Sequence, residues 1–343
     1  MTVSVERPIL AITVGDPAGI GPEITLAALQ DERVPQRCRP LVLAEPAVLE
    51  RVRPLVAPEL EFHVIADPAD ARYERGRVDV LSVMPVDGDR LHREVPFGQV
   101  SRLAGELSFA WIRRSIELAQ EGVVDGVVTG PINKEAIQAA GVPFIGHTEM
   151  FQELTGSATS LTMFQTGSVK IFFLTRHVPL RVACEMVKKD LILKTLREVA
   201  HYLTILGHPD PEIAVAALNP HAGDGGLLGT EEQEEILPAI EAAQAEGIRA
   251  VGPVPADSVF VQAARGRYDA VLSLYHDQGH IASKVLDFEG TISITLGLPF
   301  IRSSVDHGTA FDIAGQGRAQ HESMVKAILA AAEYAPRIRA ARR

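Results

Sequence analysis

Short apolar segments alternate along this chain with longer segments in which apolar residues recur every three or four positions. Seven short runs rich in β-branched residues predict strands, at residues 9–14, 40–44, 61–65, 126–129, 169–175, 212–217 and 270–274. The spacing of apolar residues predicts amphipathic helices at 101–120, 190–206 and 231–246. Because strands that alternate with helices usually form a mostly parallel sheet covered on both faces, the pattern predicts an α/β fold.

The length of the chain, 343 residues, exceeds the size at which one hydrophobic core usually stops growing. We therefore expect two domains. No low-complexity linker or repeat marks a boundary, and the chain of a compact two-domain enzyme often crosses between its domains twice. We place the first α/β domain at 1–138 plus 310–343 and the second at 139–309, with the crossings near residues 131–141 and 306–315.

Composition and charge narrow the class of protein. Hydrophobic residues make up 46% of the chain and charged residues 22%, which is typical of a globular enzyme. The net charge of −11 disfavours binding to nucleic acids and to anionic membranes. No apolar run reaches the roughly 18 residues of a membrane span, and residues 1–6 lack the basic and apolar regions of an export signal.

The remaining bulk features concern the cysteines and the C-terminus. Cys38 and Cys184 lie far apart and have no partner at a metal or redox spacing, which is typical of a reduced compartment. We therefore expect a cytoplasmic enzyme. The basic residues of the segment 337–343 suit the C-terminal end of a final helix.

Four histidines follow apolar, strand-like runs and adjoin Gly, Pro, Asn or Asp: His147, His177, His221 and His276. Imidazoles at strand ends can bind a divalent metal or transfer protons near neutral pH. The last three come from separate strand ends, and no His-Glu-x-x-His motif accompanies them. Two interpretations stay open: the three histidines bind a metal, or they are loop residues held by hydrogen bonds. Asn219 and Asp277 could orient the rings.

Three strand-to-helix turns place polar groups at one edge of the predicted sheet. The glycine spacing of residues 13–24 fits neither a dinucleotide fingerprint nor a P-loop, so a plain tight turn and a ligand contact both stay open. Residues 129–135 either bind an anion at a helix N-terminus or cap that helix. Residues 146–149 suit a phosphate or carboxylate, and Thr148 could cap the helix and donate a hydrogen bond.

Two later segments combine glycines with titratable groups. Residues 219–232 could approach a cofactor or form a wall of the active site, and Glu231 and Glu232 suit the positive end of the next helix. Lys284 could act as a base or bind an anion, and Arg302 could hold a phosphate or carboxylate. The density of titratable groups in residues 275–316 is typical of an active-site lining: His276, Asp277, His280, Lys284, Arg302, Asp306, His307 and Asp312.

Six motifs occur in order over nearly the whole chain. They are GDPAGIGPE at 15–23, TGPINK at 129–134, GHTE at 146–149, LNPHAG at 218–223, YHDQG at 275–279 and GLPFIRSSVDHGTA at 297–310. Together they resemble the 4-hydroxythreonine-4-phosphate dehydrogenase family. The resemblance implies the isocitrate/isopropylmalate dehydrogenase-like fold, with mostly parallel sheets in two α/β domains and an active-site cleft between the domains.

The resemblance also implies cofactors, assembly and residue roles. It implies NAD or NADP bound without a standard Rossmann loop, one divalent metal (Zn, Mg, Co or Mn), and a homodimer that shares its active site, with metal ligands and dimer contacts on the second domain. The implied metal ligands are His177, His221 and His276. The expected substrate contacts are His147, Thr148, Lys284, Ser293 and Arg302. We expect catalysis from Lys284 and Asp277, and cofactor contacts from Asn219, Gly223, Gly226 and Asp306.

The implied reaction is a metal-dependent, NAD(P)-linked oxidation, with decarboxylation, of a 4-phosphorylated 3-hydroxy acid. The first substrate hypothesis is 4-phosphooxy-L-threonine, in pyridoxal phosphate biosynthesis. Two positions depart from the biosynthetic pattern, because Ser293 stands where those members usually carry Asn and His280 resembles another branch. That branch oxidises 4-phospho-D-threonate or 4-phospho-D-erythronate, which gives the alternative hypothesis.

Two hypotheses from other classes are compatible with parts of the pattern. A metal-dependent phosphohydrolase could use the same histidines to activate water, but it typically needs several carboxylate ligands and no nicotinamide. A non-catalytic small-ligand sensor would explain two domains but not the many titratable residues. Reduction of NAD in the presence of a phosphorylated hydroxy acid would distinguish the dehydrogenase from both.

Overall fold

The structure is a computed structural model that describes residues 7–342. Its strands are β1 (Ile9–Thr13), β2 (Arg39–Leu43), β3 (Glu61–Ile65), β4 (Arg77–Leu81), β5 (Gly126–Thr129), β6 (Leu161–Thr166), β7 (Val169–Phe173), β8 (Ile213–Ala216), β9 (Ala250–Val254), β10 (Ala270–Ser273), β11 (Ile292–Leu296) and β12 (Ile301–Val305). All seven predicted strands are present, which confirms them as β1, β2, β3, β5, β7, β8 and β10.

The helices confirm the other half of the pattern. They are α1 (Gly21–Leu29), α2 (Arg33–Arg37), α3 (Pro46–Glu50), α4 (Arg53–Val56), α5 (Gly88–Glu94), α6 (Arg102–Gln120), α7 (Lys134–Ala139), α8 (His147–Thr155), α9 (Leu180–Glu185), α10 (Lys189–Ile205), α11 (Leu237–Ala245), α12 (Ala256–Ala264), α13 (His276–Leu286) and α14 (Glu322–Ala341). Short 3₁₀ turns occupy Pro68–Asp70 and Pro220–Gly226, and a π-helical turn, Glu232–Ile236, precedes α11. Residues 337–341 belong to the last turns of α14, as expected for the basic segment, and Arg343 lies outside the described residues.

The chain divides into two compact units. The first unit contains the chain up to Ser160 and again from Ile292, and the second unit is Leu161–Thr291. The sequence placed these crossings at 138/139 and 309/310. The observed crossings differ because α8 packs against α6, and because β12 pairs with β5, so that both segments belong to the first unit.

The sheet of the first unit has the strand order β3-β4-β2-β1-β5-β12-β11. Neighbouring strands run parallel, except that β11 and β12 are antiparallel. The central strands β1 and β5 are buried along nearly their whole length, as expected for apolar strands that helices cover on both faces. Helices α6 and α14 pack against this central part of the sheet.

Helix α6 shows how the local sequence determines an element. The Ser101 side chain accepts a hydrogen bond from the backbone N–H of Ala104 at 3.2 Å and so caps the N-terminus of the helix. Leu103, Leu107 and Trp111 recur at intervals of four and are buried. The apolar stripe of the sequence is therefore the face that packs on the sheet.

The sheet of the second unit has the strand order β6-β7-β10-β8-β9. The strands β7, β10, β8 and β9 are parallel, and β6 is antiparallel to β7. Its core includes Phe164, Phe173, Val259 and Val271. Because β7, β10 and β8 are adjacent and parallel, their carboxyl ends meet at one edge of this sheet.

Among residues 7–342, no helix has the length and hydropathy needed to span a membrane. The expectation that residues 1–6 carry no export signal lies outside the described residues.

Candidate active site

Arg302 is a buried cation in the first unit. It lies near the start of β12, is 3% exposed, and its Nη2 donates to the Thr129 hydroxyl at 2.7 Å at the end of β5. Nη1 donates to the Thr295 hydroxyl of β11 at 3.2 Å. The guanidinium carbon lies 5.4 Å from the centre of the Phe151 ring.

No carboxylate pairs with Arg302 in the part of the chain that the structure describes, and its Nε has no hydrogen-bond partner there. Burial lowers the pKa of Arg302 to about 9, so the guanidinium stays protonated at neutral pH. A buried charge without a counter-ion is unfavourable unless a ligand neutralises it. Arg302 is therefore suited to binding an anion, and its contact with a substrate phosphate stays a prediction.

His147 lies close to this cation. It is the first residue of α8, and its Nε2 is buried with no hydrogen-bond partner among the described residues. Burial, and then the charge of Arg302, lower the pKa of His147 well below its usual value, so the ring is neutral at pH 7. The free N–H groups at the start of α8 also favour an anion, which supports the predicted use of this turn.

Thr148 does not cap α8. Gly146 is the N-cap residue and offers no side chain, whereas Thr148 lies inside the first turn. The Glu149 carboxylate instead accepts from the backbone N–H of Ile145 at 2.7 Å. The expected capping role is therefore wrong because α8 begins at His147, two residues before a helix capped by Thr148 would begin. A substrate contact by Thr148 stays a prediction.

The glycine-rich turn after β1 is built by close packing of two loops. Asp16 donates its backbone N–H to the Pro131 carbonyl at 2.8 Å, and a Cβ on Gly15 would lie 2.2 Å from the same oxygen. The Asp16 carboxylate accepts from the backbone N–H of Ala18 at 2.8 Å. This geometry explains the turn without a ligand.

Asp16 is nevertheless chemically unusual, and the sequence reasoning did not single it out. Its side chain is 1% exposed, and Oδ2 has no hydrogen-bond partner among residues 7–342. Burial raises the pKa of Asp16 to about 6, although hydrogen bonds from the backbone of Ala18 and Asn133 act to lower it. An aspartate in a Gly-Asp-Pro turn was the available signal, but its burial depends on the second loop.

In the second unit, the three predicted metal ligands follow adjacent strands. His177 follows β7, His221 follows β8 and His276 begins α13 after β10. The rings of His177 and His276 lie 6.0 Å apart. The topology thus brings all three to the same edge of the sheet. Their spacing along the chain could not by itself establish this.

A complete metal site is not formed by side chains alone. Among the described residues, no group of three His, Cys, Asp or Glu side chains is arranged to hold a metal ion. His276 Nδ1 lies 2.6 Å from Asp277 Oδ1, which orients the ring and leaves Nε2 for a metal. The residue types and this orientation fit a divalent metal.

His280 occupies the space beside His276. The two rings stack at 3.9 Å with an interplanar angle of 13°, and His280 also contacts the rings of Phe164 at 4.3 Å and Phe173 at 4.8 Å. Burial lowers the pKa of His280 to about 4, and positive charge on His276, Lys284, His177 and Arg176 adds to this effect. The ring is therefore neutral at physiological pH.

His221 lies in a left-handed turn. Five consecutive residues, from His221 to Gly225, have φ values of 52°, 56°, 78°, 44° and 67°. Each non-glycine residue in this conformation costs about 1–2 kcal/mol, so three of the five positions carry strain. Such strain is common at ligand sites.

Buried Glu232 holds this turn in place. Its carboxylate accepts from the backbone N–H groups of Leu218 and Asn219 at 2.9 and 2.7 Å, and from the Asn219 side chain at 2.9 Å. A Cβ on Gly223 would lie 2.9 Å from Glu232 Oε2. The expectation that Glu232 only offsets the helix dipole was incomplete, because this carboxylate is 2% exposed and organises the loop.

The other predicted site residues are placed as follows. Lys284 lies on α13 with Nζ 5.1 Å from the centre of the Phe288 ring, and Asp277 is largely exposed. Ser293 of β11 stands opposite Ser304 of β12. Of the expected cofactor contacts, Asp306 belongs to the first unit, whereas Asn219, Gly223 and Gly226 belong to the second.

A cavity of about 430 Å³ lies beside the histidines of the second unit. Its lining includes Arg176, His177, Tyr275, His276 and Asp277. Polar and charged groups that converge on one cavity, two of them imidazoles, are typical of a ligand site.

Comparison with known proteins identifies the family. Residues 36–331 match the family described as "Pyridoxal phosphate biosynthetic protein PdxA". A protein of Symbiobacterium thermophilum named "Putative D-threonate 4-phosphate dehydrogenase" is 54% identical over 336 residues, which cover 98% of this chain and 99% of that protein. A protein of Halalkalibacterium halodurans with the same name is 50% identical, and the match covers 96% of this chain and 98% of that protein.

Solved structures agree with this result. The 4-hydroxythreonine-4-phosphate dehydrogenase of Klebsiella pneumoniae has a TM-score of 0.85 and 40% identity, with 96% of this chain and 99% of that chain covered. The enzyme of the same name from Burkholderia phymatum has a TM-score of 0.82 and 40% identity, with 96% and 98% covered. The predicted resemblance, α/β fold class and enzyme class are confirmed. The chain belongs to the PdxA family and is a dehydrogenase.

Proposed function

We propose that this protein oxidises the 3-hydroxyl of a four-carbon, 4-phosphorylated hydroxy acid with NAD or NADP, and that D-threonate 4-phosphate is its preferred substrate. The relatives named for that substrate are 45–54% identical to this chain, whereas the 4-hydroxythreonine-4-phosphate dehydrogenases are 39–40% identical. 4-Phosphooxy-L-threonine, the first hypothesis from the sequence, is the second candidate, favoured by the family description.

The observation that carries this proposal is the buried guanidinium of Arg302. A dianionic phosphate would neutralise the cation, and its oxygens would accept hydrogen bonds that Nε and the hydroxyl-bound Nη atoms can supply. His147 and Thr148, at the start of α8, would donate to the same phosphate. The phosphate thus serves as the binding handle of the substrate.

The reacting end of the substrate would bind beside the three strand-end histidines. His177, His221 and His276 would hold one divalent metal, which would polarise the 3-hydroxyl and later the ketone. Lys284 or Asp277 would accept the hydroxyl proton while the hydride at C3 passes to the nicotinamide. Loss of CO₂ from the resulting 3-keto acid would then give dihydroxyacetone phosphate from D-threonate 4-phosphate.

The cofactor contacts stay as proposed for Asn219, Gly223, Gly226 and Asp306. Gly223 and Gly226 have φ values of +78° and +96°, which favour glycine at both positions. We also retain the cytoplasm as the location, on the composition of the chain and its two free cysteines, Cys38 and Cys184.

A homodimer is supported by apolar residues exposed on and after α13. Ile281, Val285 and Phe288 are 61%, 80% and 69% exposed, which is unusual for side chains of this size. A second copy would remove them from water. Sedimentation of the wild type should give a dimer, and Val285→Glu should shift it toward monomer, whereas Val64→Glu on the exposed side of β3 should not.

An absorbance assay for the reduced cofactor tests the proposed activity. D-threonate 4-phosphate, D-erythronate 4-phosphate and 4-phosphooxy-L-threonine should each be supplied with NAD or NADP and with Mg, Mn, Co or Zn. We expect the highest kcat/KM with D-threonate 4-phosphate. Release of inorganic phosphate without reduction of NAD(P) would instead indicate the phosphohydrolase.

A further inference from the structure

Arg176 carries a second guanidinium, to which the proposed reaction assigns no role. It directly precedes His177 and lines the 430 Å³ cavity together with His177, Tyr275 and His276. Its Nη1 donates to the hydroxyl of Thr162 on β6. No salt bridge to Arg176 is formed by any carboxylate in residues 7–342.

The charge of Arg176 acts on this cavity more strongly than a surface charge would. The side chain is partly buried, so solvent screens it less than an exposed arginine. Because arginine stays protonated in proteins at neutral pH, the cavity contains a permanent cation next to the histidines that are proposed to bind the reacting end of the substrate.

The two candidate substrates differ at the position that such a cation can detect. Both carry a C1 carboxylate, a 3-hydroxyl and a 4-phosphate. At C2, D-threonate 4-phosphate has a neutral hydroxyl, whereas 4-phosphooxy-L-threonine has an ammonium. A cation that binds the carboxylate at C1 also lies within about 5 Å of the C2 substituent, where two like charges repel strongly in a partly desolvated site.

We propose that Arg176 is a specificity-determining residue, which binds the C1 carboxylate and rejects substrates that carry an ammonium at C2. This inference rests on the proposed function, because it assumes that the histidine side of the cavity receives the C1–C3 end. Arg176 would attract the carboxylate that both substrates carry and would repel the ammonium that only the competing substrate carries. Specific sites commonly combine attraction and repulsion in this way.

Other charged groups around the cavity do not cancel this effect. Asp277 is the one carboxylate in the described lining, and it lies 2.6 Å from His276 Nδ1 with its side chain 69% exposed. Its charge is therefore engaged by the ring and screened by solvent. Lys284 lies on the same helix as His276 but is not among the residues that line this cavity.

The test compares kcat/KM for the two substrates in the wild type and in two variants. Arg176→Gln removes the charge, and Arg176→Lys keeps it. We expect the wild type to favour D-threonate 4-phosphate by about 100-fold, a ratio of the size that one like-charge repulsion provides. The ratio should fall at least tenfold in Arg176→Gln and stay within about threefold in Arg176→Lys.

The ratio of D-threonate 4-phosphate to D-erythronate 4-phosphate is the matched control. These two acids differ only in the configuration at C2 and carry no ammonium, so Arg176→Gln should leave their ratio within about threefold. Equal losses of kcat/KM for all three substrates in Arg176→Gln would overturn the inference. A wild type that oxidises none of the three would instead overturn the proposed function.

A measurement on the wild type covers the case in which Arg176→Gln does not fold. Raising the pH from 7 to 9.5 deprotonates the substrate's amino group and removes the repulsion. The kcat/KM for 4-phosphooxy-L-threonine, relative to that for D-threonate 4-phosphate, should then rise at least threefold. A relative kcat/KM that stays constant or falls over this range would overturn the inference.

Discussion

The two units of this protein each present an arginine without a carboxylate partner among the described residues, but the two surroundings differ. Arg302 lies within the sheet of the first unit, and the hydroxyls of Thr129 and Thr295 on neighbouring strands fix it. Arg176 lies in a loop of the second unit, and the hydroxyl of Thr162 holds it. A site built from strand interiors is preorganised, whereas one built from loop ends depends on what binds there.

The two units also differ in the number of large apolar side chains that they expose. Of the fifteen large apolar side chains that are exposed among the described residues, ten belong to the second unit, among them Leu180, Leu227 and Phe288. The second unit therefore exposes more large apolar side chains than the first. Exposed apolar side chains that lie close together are typical of a surface that binds a partner.

The largest expected effect lies in the second unit. His276→Ala removes a proposed metal ligand together with its orientation by Asp277, so turnover should fall at least about 10³-fold and the affinity for the divalent metal should fall with it. Metal binding by calorimetry and NAD(P) reduction would check this. His201→Ala, at an exposed position of α10, is the control, and wild-type activity that survives a strong chelator would remove the metal from the proposal.

The matching change in the first unit is Arg302→Gln. Loss of the buried charge that is proposed to bind the phosphate should lower kcat/KM by about 10²–10³-fold, mainly through a higher KM, because the phosphate is not the reacting group. Arg302→Lys should give an intermediate loss, since it keeps the charge but not the fork. Unchanged KM in both variants would place the phosphate elsewhere.

A smaller effect in the first unit concerns stability against pH. The pKa of Asp16 is raised to about 6 in the folded protein, so protonation of its carboxyl stabilises the fold. This stabilisation is fully present below the usual pKa of aspartate and is lost as the pH rises through 6. The shift corresponds to about 3 kcal/mol. Relative to wild type, Asp16→Asn should therefore become more stable by about this amount between pH 4 and pH 7, measured by urea unfolding; parallel profiles would contradict the assignment.

The smallest expected effect tests the strained turn of the second unit. Asp224 is exposed and has a φ of 44°, a conformation that glycine adopts without steric cost. Asp224→Gly should raise the free energy of unfolding by about 0.5–1 kcal/mol, after allowing for the greater entropy of the unfolded chain. Asp89→Gly, in the first turn of α5, should lower it instead, and a loss of similar size in both variants would argue against strain.

The sequence predicted the fold where apolar runs were long and regular. It missed five strands, β4, β6, β9, β11 and β12. The last two were missed because their buried positions include Thr295, Arg302, Ser303 and Ser304, whose polarity resembles an active-site loop. The displaced domain boundary has the same origin. Polar residues inside a sheet become evident only when their hydrogen-bond partners on neighbouring strands are known.

The site was predicted in part. The order of the motifs identified the family, and the strand ends identified the histidines that the sheet brings to one edge. Asp16 and Glu232 could not be singled out, because their burial depends on Pro131 and on the loop at Leu218, which lie far along the chain. Arg176 could not be singled out either, because its lack of a carboxylate partner among residues 7–342 becomes evident only in the structure.

The position of β12 has a consequence for how the chain folds during synthesis. This strand lies between β5 and β11 in the sheet of the first unit, although the whole second unit precedes both β11 and β12 in the sequence. A ribosome therefore finishes the second unit while the first still lacks an inner strand and helix α14. The part of the chain made first should be the last to reach its native state, and until then the free side of β5 is open to chaperones or to misdirected pairing.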